Sequence, residues 1–175
     1  MPRLILLNGP PGCGKSTLAR MYAEAHPLAL NLDIDRIRDM LGQWRSSNSS
    51  GLLARAIALA AARVHLLSGY DVVIPQFLGR LTFIEQAEEL AKDTEASFHE
   101  IVLLDSKENS LRRYAERGNP GASPPGTSPP GASPAELAEM YDRLLAVVAA
   151  RPGAKLVPTR RSEIDQAYRD FLAAL

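Results

Sequence analysis

Residues 9–16 read Gly-Pro-Pro-Gly-Cys-Gly-Lys-Ser and follow directly on the apolar run Leu4-Ile5-Leu6-Leu7. This is the pattern G-x-x-x-x-G-K-[ST], set where a strand hands over to a helix, the context that gives the pattern its meaning. Gly9, Gly12 and Gly14 let the backbone turn where a Cβ would clash, so successive N–H groups point at one anion. Pro10, Pro11 and Cys13 occupy the variable positions. Lys15 supplies a point charge to the outer phosphates, and the Ser16 hydroxyl suits a magnesium ion. The helix that runs on through Thr17 adds its positive N-terminal end. A glycine-rich turn matching by chance is the alternative, and the flanking strand and helix weigh against it. Residues 9–17 are therefore the expected site for ATP (or GTP) with Mg2+.

Short apolar runs alternate with helical patterns along the rest of the chain. Strands are expected at Arg3–Leu7, Leu28–Leu32, Asp71–Pro75, His99–Leu104 and Lys155–Val157. Helices are expected at Lys15–Ala25, Ile34–Gln43, Gly51–Ser68, Arg80–Asp93, Lys107–Arg117, Pro134–Ala150 and Arg161–Ala174. Apolar strands separated by helices imply an α/β fold: a five-stranded parallel sheet sandwiched by helices, of the P-loop NTPase kind. Ala54, Ile57, Ala58, Ala61 and Val64 form an alanine-rich stripe suited to close helix packing. Ser162-x-x-Asp165 resembles a capping box at the start of the last helix. The segment from Asn119 to Pro134 repeats the unit P-G-[AT]-S-P three times, a composition that cannot form a core. It reads either as a tolerated surface insertion or as the tip of a lid spanning about residues 112–135.

The 175 residues suffice for one domain with its own core. With 20 basic and 20 acidic residues the net charge is zero, which argues against a long nucleic-acid footprint. No apolar run approaches the roughly 20 residues of a membrane helix, and no leader is expected at the start. The single cysteine, Cys13, excludes an internal disulfide and fits a reducing cytoplasm. His26, His65 and His99 lack metal-ligand spacing, so structural roles are expected for them.

The chemistry on the acceptor side is expected from Asn31-Leu32-Asp33-Ile34-Asp35-Arg36-Ile37-Arg38, which ends the second strand and opens a helix. In such sheets ligands sit beyond the carboxyl ends of the strands. Asp35 is the expected base for an acceptor hydroxyl, with Arg38, three residues on, holding a polar or anionic group. A simple surface ion pair is the alternative for these two. Asp33 reads as a helix cap or as a partner of a magnesium-bound water. Arg112, Arg113 and Arg117 follow the fourth strand, and Arg113 and Arg117 share a helix face. Arginines so placed neutralise charge on a phosphoryl group in transfer, unless Asp105, Glu108 or Glu116 pairs with them. Trp44 continues the apolar stripe of Ile34, Ile37 and Leu41. Arg160 or Arg161, after the last strand, is a candidate to stack on a nucleotide base.

The phosphate loop, the D-x-x-R unit Asp35–Arg38 and the pair Arg113 and Arg117 with Gly118 together resemble a family of small P-loop kinases. That family includes polynucleotide 5′-hydroxyl kinases, chloramphenicol phosphotransferase, gluconate kinase and the zeta toxins. The resemblance implies a kinase with Asp35 as base, Arg38 as an acceptor contact, and Arg113 and Arg117 as lid arginines. It departs at Val72-Val73-Ile74-Pro75-Gln76-Phe77, where Gln76 stands about where polynucleotide kinases carry an aspartate. Gln76 and Arg80 then become candidate acceptor contacts. The leading expectation is phosphoryl transfer from ATP to a hydroxyl of a sugar, nucleoside or antibiotic. A polynucleotide 5′-hydroxyl kinase is the second reading, and a non-catalytic NTP-binding regulatory protein the third.

Overall fold

Leu4, Ile5, Leu6 and Leu7 are all completely buried, which is why β1 (Arg3–Asn8) lies at the centre of the sheet. The computed structural model of the protein describes residues 1–117, 133–160 and 163–175. Around β1 are arranged β2 (Leu30–Asn31), β3 (Val72–Pro75), β4 (Ser97–Leu104) and β5 (Lys155–Pro158), in the order β2-β3-β1-β4-β5. Every neighbouring pair is parallel, with Leu7 opposite Pro75 on one side and Ile101 on the other. A parallel sheet needs helices over both faces, and the alternating side chains of β1 show them. Leu4 and Leu6 join a core with α2 (Ile34–Asp39), α3 (Ser50–Leu67) and α4 (Leu81–Asp93). Ile5 and Leu7 join a second core with α1 (Lys15–Ala25) and α7 (Ile164–Ala173). Helices α5 (Lys107–Arg117) and α6 (Pro134–Ala150) complete the chain.

At the edge of the sheet where β1 starts, the Tyr22 hydroxyl donates to Asp71 at 2.6 Å and accepts from Arg3 at 3.3 Å. Burial and the bond to Asp71 push the Tyr22 phenol up to about 12. The opposite edge, where all five strands end, carries Asn8, Asn31, Gln76, Asp105 and Thr159 just at or beyond the strand termini. The parallel arrangement thus delivers polar residues from five separate segments to one rim.

Three local expectations are corrected. β2 starts at Leu30 rather than Leu28, because Leu28 takes a left-handed backbone (φ 58) and points into solvent. α2 stops at Asp39 rather than Gln43. Met40 is its C-cap, Gln43 has φ 52, and Trp44–Ser46 make a separate 3-10 turn. The buried stripe of α3 is Ala54, Ala58, Ala62 and Leu66, whereas Val64 is 69% exposed and Ile57 is also exposed. α3 carries apolar residues on its exposed side as well, Leu53, Ile57, Val64 and Leu67 among them, so its composition did not single out one face. By length and composition α3 is also apolar enough to cross a membrane, so the expectation that no segment approaches that limit was too strong. Its alanine stripe nevertheless belongs to the core against the sheet. The lid and its repeat fall mainly at 118–132, outside the described residues, as does Ser162 of the expected capping box. The described Ser133, at the end of the repeat, caps α6 reciprocally with Glu136.

Candidate functional site

The phosphate loop takes the conformation that its glycines allow. Gly9 has φ 151, and a Cβ there would lie 2.6 Å from the Leu103 carbonyl and 2.7 Å from Cys13 Sγ, so no larger residue fits. Gly14 caps α1 in the left-handed region (φ 100), which turns the chain into the helix beneath the loop. The Cys13 N–H donates to the Pro10 carbonyl at 3.3 Å. The Lys15 ammonium reaches back over the loop and donates to the Gly9 carbonyl at 2.8 Å and the Pro10 carbonyl at 2.9 Å. Ser16 and Thr17, in the first turn of α1, are exposed on the loop side. A left-handed glycine at a helix start, a fixed lysine and an accessible hydroxyl fit a polyphosphate and a magnesium ion. Cys13 is buried under the loop.

Asp33 and Asp35 separate into two roles. The Asp33 side chain accepts from the Asp35 N–H at 3.0 Å and caps α2. That cap fixes the first turn and with it the position of Asp35. Burial pushes the Asp35 carboxyl above the usual carboxylate range and Asp33 adds to the rise. Lys15 and Arg38 pull it back, and Asp39 raises it further. The Lys15 influence means that the end of β2 and the phosphate loop share one electrostatic site. Arg38 pairs with no carboxylate among the described residues. Its Nε donates to Ser50 Oγ at 2.9 Å, and its guanidinium lies 4.7 Å from the centre of the Trp44 ring. Arg45 lies 4.6 Å from the same ring. Trp44 is therefore a half-buried cation–π platform that holds Arg38 in place, a role that periodicity did not reveal.

The β3–α4 loop is tied to the phosphate loop by Asn8, which sequence reasoning missed. Asn8 is fully buried. Its Oδ1 accepts from the Gly9 and Leu78 N–H groups at 2.8 Å each, and its Nδ2 donates to the Leu78 carbonyl at 3.0 Å. An asparagine just before the first glycine of the loop was the available signal. The Gln76 N–H donates to the Leu7 carbonyl at 3.1 Å, while its Oε1 is shut off from solvent with no partner among the described residues. Arg80 is exposed at the N-cap of α4, on the rim of a groove between α3, α4 and α6.

Arg113 stands where it was expected, beyond β4, but its guanidinium is engaged. It forms an ion pair with Asp105 at 2.7 Å, the two side chains being 14% and 9% exposed, and donates to the Thr159 carbonyl at 3.2 Å. The geometry makes Arg113 the joint between the ends of β4 and β5 rather than a free charge. The side chain of Arg117, one turn on, is outside those described. Arg160 is exposed after β5, and Arg161 lies outside the described residues. The three histidines bond within the fold: His26 bonds the Tyr22 carbonyl at 2.8 Å and His65 the Leu28 carbonyl at 2.7 Å, while His99 meets Ser97 Oγ at 3.1 Å. No cluster of three metal-ligating side chains exists among the described residues.

The sequence profile of the AAA_33 family, described as an AAA domain, matches residues 4–144, from β1 into α6. No curated protein sequence matches the chain significantly. Solved structures share the fold. A candidate kinase from Chloroflexus aurantiacus is 21% identical, with 99% of this chain and 98% of that one covered and a TM-score of 0.72. A gluconokinase from Sinorhizobium meliloti is 19% identical, with 99% and 91% covered and a TM-score of 0.66. The tunicamycin resistance protein of Deinococcus radiodurans is 16% identical, with 99% and 95% covered and a TM-score of 0.64.

Proposed function

This chain belongs to the AAA_33 family, with its kinase-like P-loop fold, and we propose that it transfers the γ-phosphoryl group of ATP to a hydroxyl of a small molecule. The observation that carries this reading is Asp35: a partly buried carboxylate of raised basicity, held by a helix cap in the field of the phosphate-loop lysine. Such a group is suited to take a proton from an attacking alcohol. The names of the gluconokinase and the tunicamycin resistance protein among the structural neighbours keep sugar and antibiotic acceptors in view.

In this mechanism the loop amides and Lys15 hold the β- and γ-phosphates. A magnesium ion beside Ser16 would supply further charge neutralisation of the phosphates when bound. The acceptor oxygen attacks the γ-phosphorus, the bond to the β–γ bridging oxygen breaks, and Asp35 accepts the hydroxyl proton as ADP leaves. Arg38, fixed by Ser50 and Trp44, and Gln76 orient the acceptor. Arg117 is the arginine that meets charge on the transferred group, on a helix anchored one turn earlier by Arg113. ADP release across sugars, nucleosides, antibiotics and a 5′-hydroxyl oligonucleotide tests the proposal. Turnover that depends on a small acceptor supports it. Turnover only with the oligonucleotide gives the polynucleotide kinase, and nucleotide binding without turnover gives the regulatory protein.

A further inference from the structure

The groove between α3, the β3–α4 loop and α6 has a cavity volume of about 480 Å³, the size of a small-molecule site. Its charge is one-sided. Arg55 enters from α3, Arg80 from the start of α4 and Arg143 from α6, and no carboxylate lines it among the described residues. In a chain with 20 basic and 20 acidic residues, that local imbalance concentrates positive potential in one concave place. Arg143 pairs with Glu139 one turn away on its own helix, at 2.5 Å with both side chains about half exposed or more. A solvated pair of that kind exchanges readily for a better anion. Arg55 and Arg80 have no ion-pair partner among the described residues.

Most of the rest of the lining is apolar, with Leu59 and Phe77 among it, and Thr82 and Gln86 add neutral polar groups. Gly79 is what lets that wall close up: a Cβ there would come within 3.1 Å of the Phe77 ring and 3.3 Å of Arg143 Cβ. Both ends of the groove are braced to the reacting centre. The first turn of α3 holds Arg38 through Ser50, and Leu52, two residues later, already lines the groove. On the other wall Leu78 is hydrogen-bonded through both its N–H and its carbonyl to Asn8, which also bonds the first residue of the phosphate loop.

We propose that this groove receives the anionic end of the acceptor, so that the substrate class is a hydroxylated compound bearing a carboxylate or phosphate beside an apolar portion. Guanidinium groups recognise either anion through paired N–H donors, and an apolar wall next to them favours an organic body over a free inorganic ion. That the anion belongs to the acceptor rests on the kinase reading above, whereas anion binding by the groove does not.

The test is an NMR titration of the full chain with a non-hydrolysable ATP analogue saturating the phosphate loop. The probes are 4-methylbenzoate, phenyl phosphate and neutral 4-methylbenzamide. At least one anion is expected to shift the Gly79 and Leu52 amides and to bind about tenfold tighter than the amide or more, and the better of the two names the anion. The double substitution Arg55→Gln with Arg80→Gln is expected to erase that advantage, with unchanged binding of the analogue reporting an intact fold. Equal binding of the three probes, no binding at millimolar concentration, or shifts confined to Gly12 and Gly14 would overturn the proposal. In the acceptor panel, hydroxy acids or phosphate esters are then expected to outpace neutral alcohols. A neutral best acceptor whose KM ignores the double substitution would overturn the proposal and leave the kinase reading standing. Anion binding in the groove with no acceptor turned over would overturn the kinase reading and, with it, the assignment of the anion to an acceptor, leaving only the groove's anion binding.

Discussion

Replacing Arg113 by methionine separates an anchoring role from a direct catalytic one. The substitution keeps most of the stem and removes the guanidinium, leaving the Asp105 carboxylate, only 9% exposed, without its partner at 2.7 Å. Stranding one member of a buried pair costs about 3–5 kcal/mol. Asp105 Oδ1 still accepts from the Ser106 N–H at 2.7 Å and from Asn109 at 2.9 Å, so the lower end applies, about 3 kcal/mol. Loss of the bond to the Thr159 carbonyl acts in the same direction. For a chain of this size each kcal/mol lowers Tm by about 2–4 °C, so thermal denaturation should show a fall of about 6–12 °C. Adding Asp105→Asn removes the stranded charge and should restore a large part of the loss, a positive coupling in a double-mutant cycle. A Tm within about 2 °C of the parent, with no coupling to Asp105 and a large fall in kcat, would refute the anchor and return Arg113 to the phosphoryl group.

Asp35→Asn should lower kcat about 10²-fold or more with little change in nucleotide affinity, measured by steady-state kinetics and calorimetry. Because burial raises the Asp35 pKa in the folded state, the folded protein binds the proton more tightly than the unfolded chain. Ionised Asp35 therefore detracts from stability at neutral pH, and Tm of the asparagine variant should not fall. For the same reason the acid limb of the kcat profile should lie above the ordinary carboxylate range and vanish in the variant. Lys15→Ala, which loses the bonds to the Gly9 and Pro10 carbonyls, should abolish turnover. Trp44→Leu frees Arg38 from its platform and should raise the acceptor KM more than the ATP KM. A small hydroxylated acceptor should exceed a 5′-hydroxyl oligonucleotide at least about tenfold in kcat/KM, since zero net charge and few aromatics suit stacked, salt-dependent binding poorly.

The order of strands and helices was legible because the buried parallel strands are short apolar runs and most of the longer segments between them carry helical spacing of apolar residues. The phosphate loop was legible because its glycines answer a backbone demand visible at Gly9, where a Cβ has no room. The end of α2 was not, because Gln43 adopts a left-handed backbone that its sequence neighbours do not announce. The face of α3 was hidden by apolar residues on its exposed side, such as Val64 and Leu67. Asp35 and Arg38 were found as a spaced pair, but spacing said nothing of Arg38 turning to Ser50 and Trp44 instead of a carboxylate. Asp105 was in view as one of three carboxylates able to pair with the arginines of α5, but proximity in sequence did not choose among them. Asn8 was missed because its bonds to Leu78 join segments 70 residues apart.

Transfer of labelled γ-phosphate from ATP, followed to its destination with the best acceptor of the panel, tests the central claim most directly. The account predicts label on a hydroxyl of that small molecule, in amounts matching ADP released, and a loss of about a hundredfold in rate with Asp35→Asn. Label recovered only as inorganic phosphate, or transfer undiminished by Asp35→Asn, would contradict it.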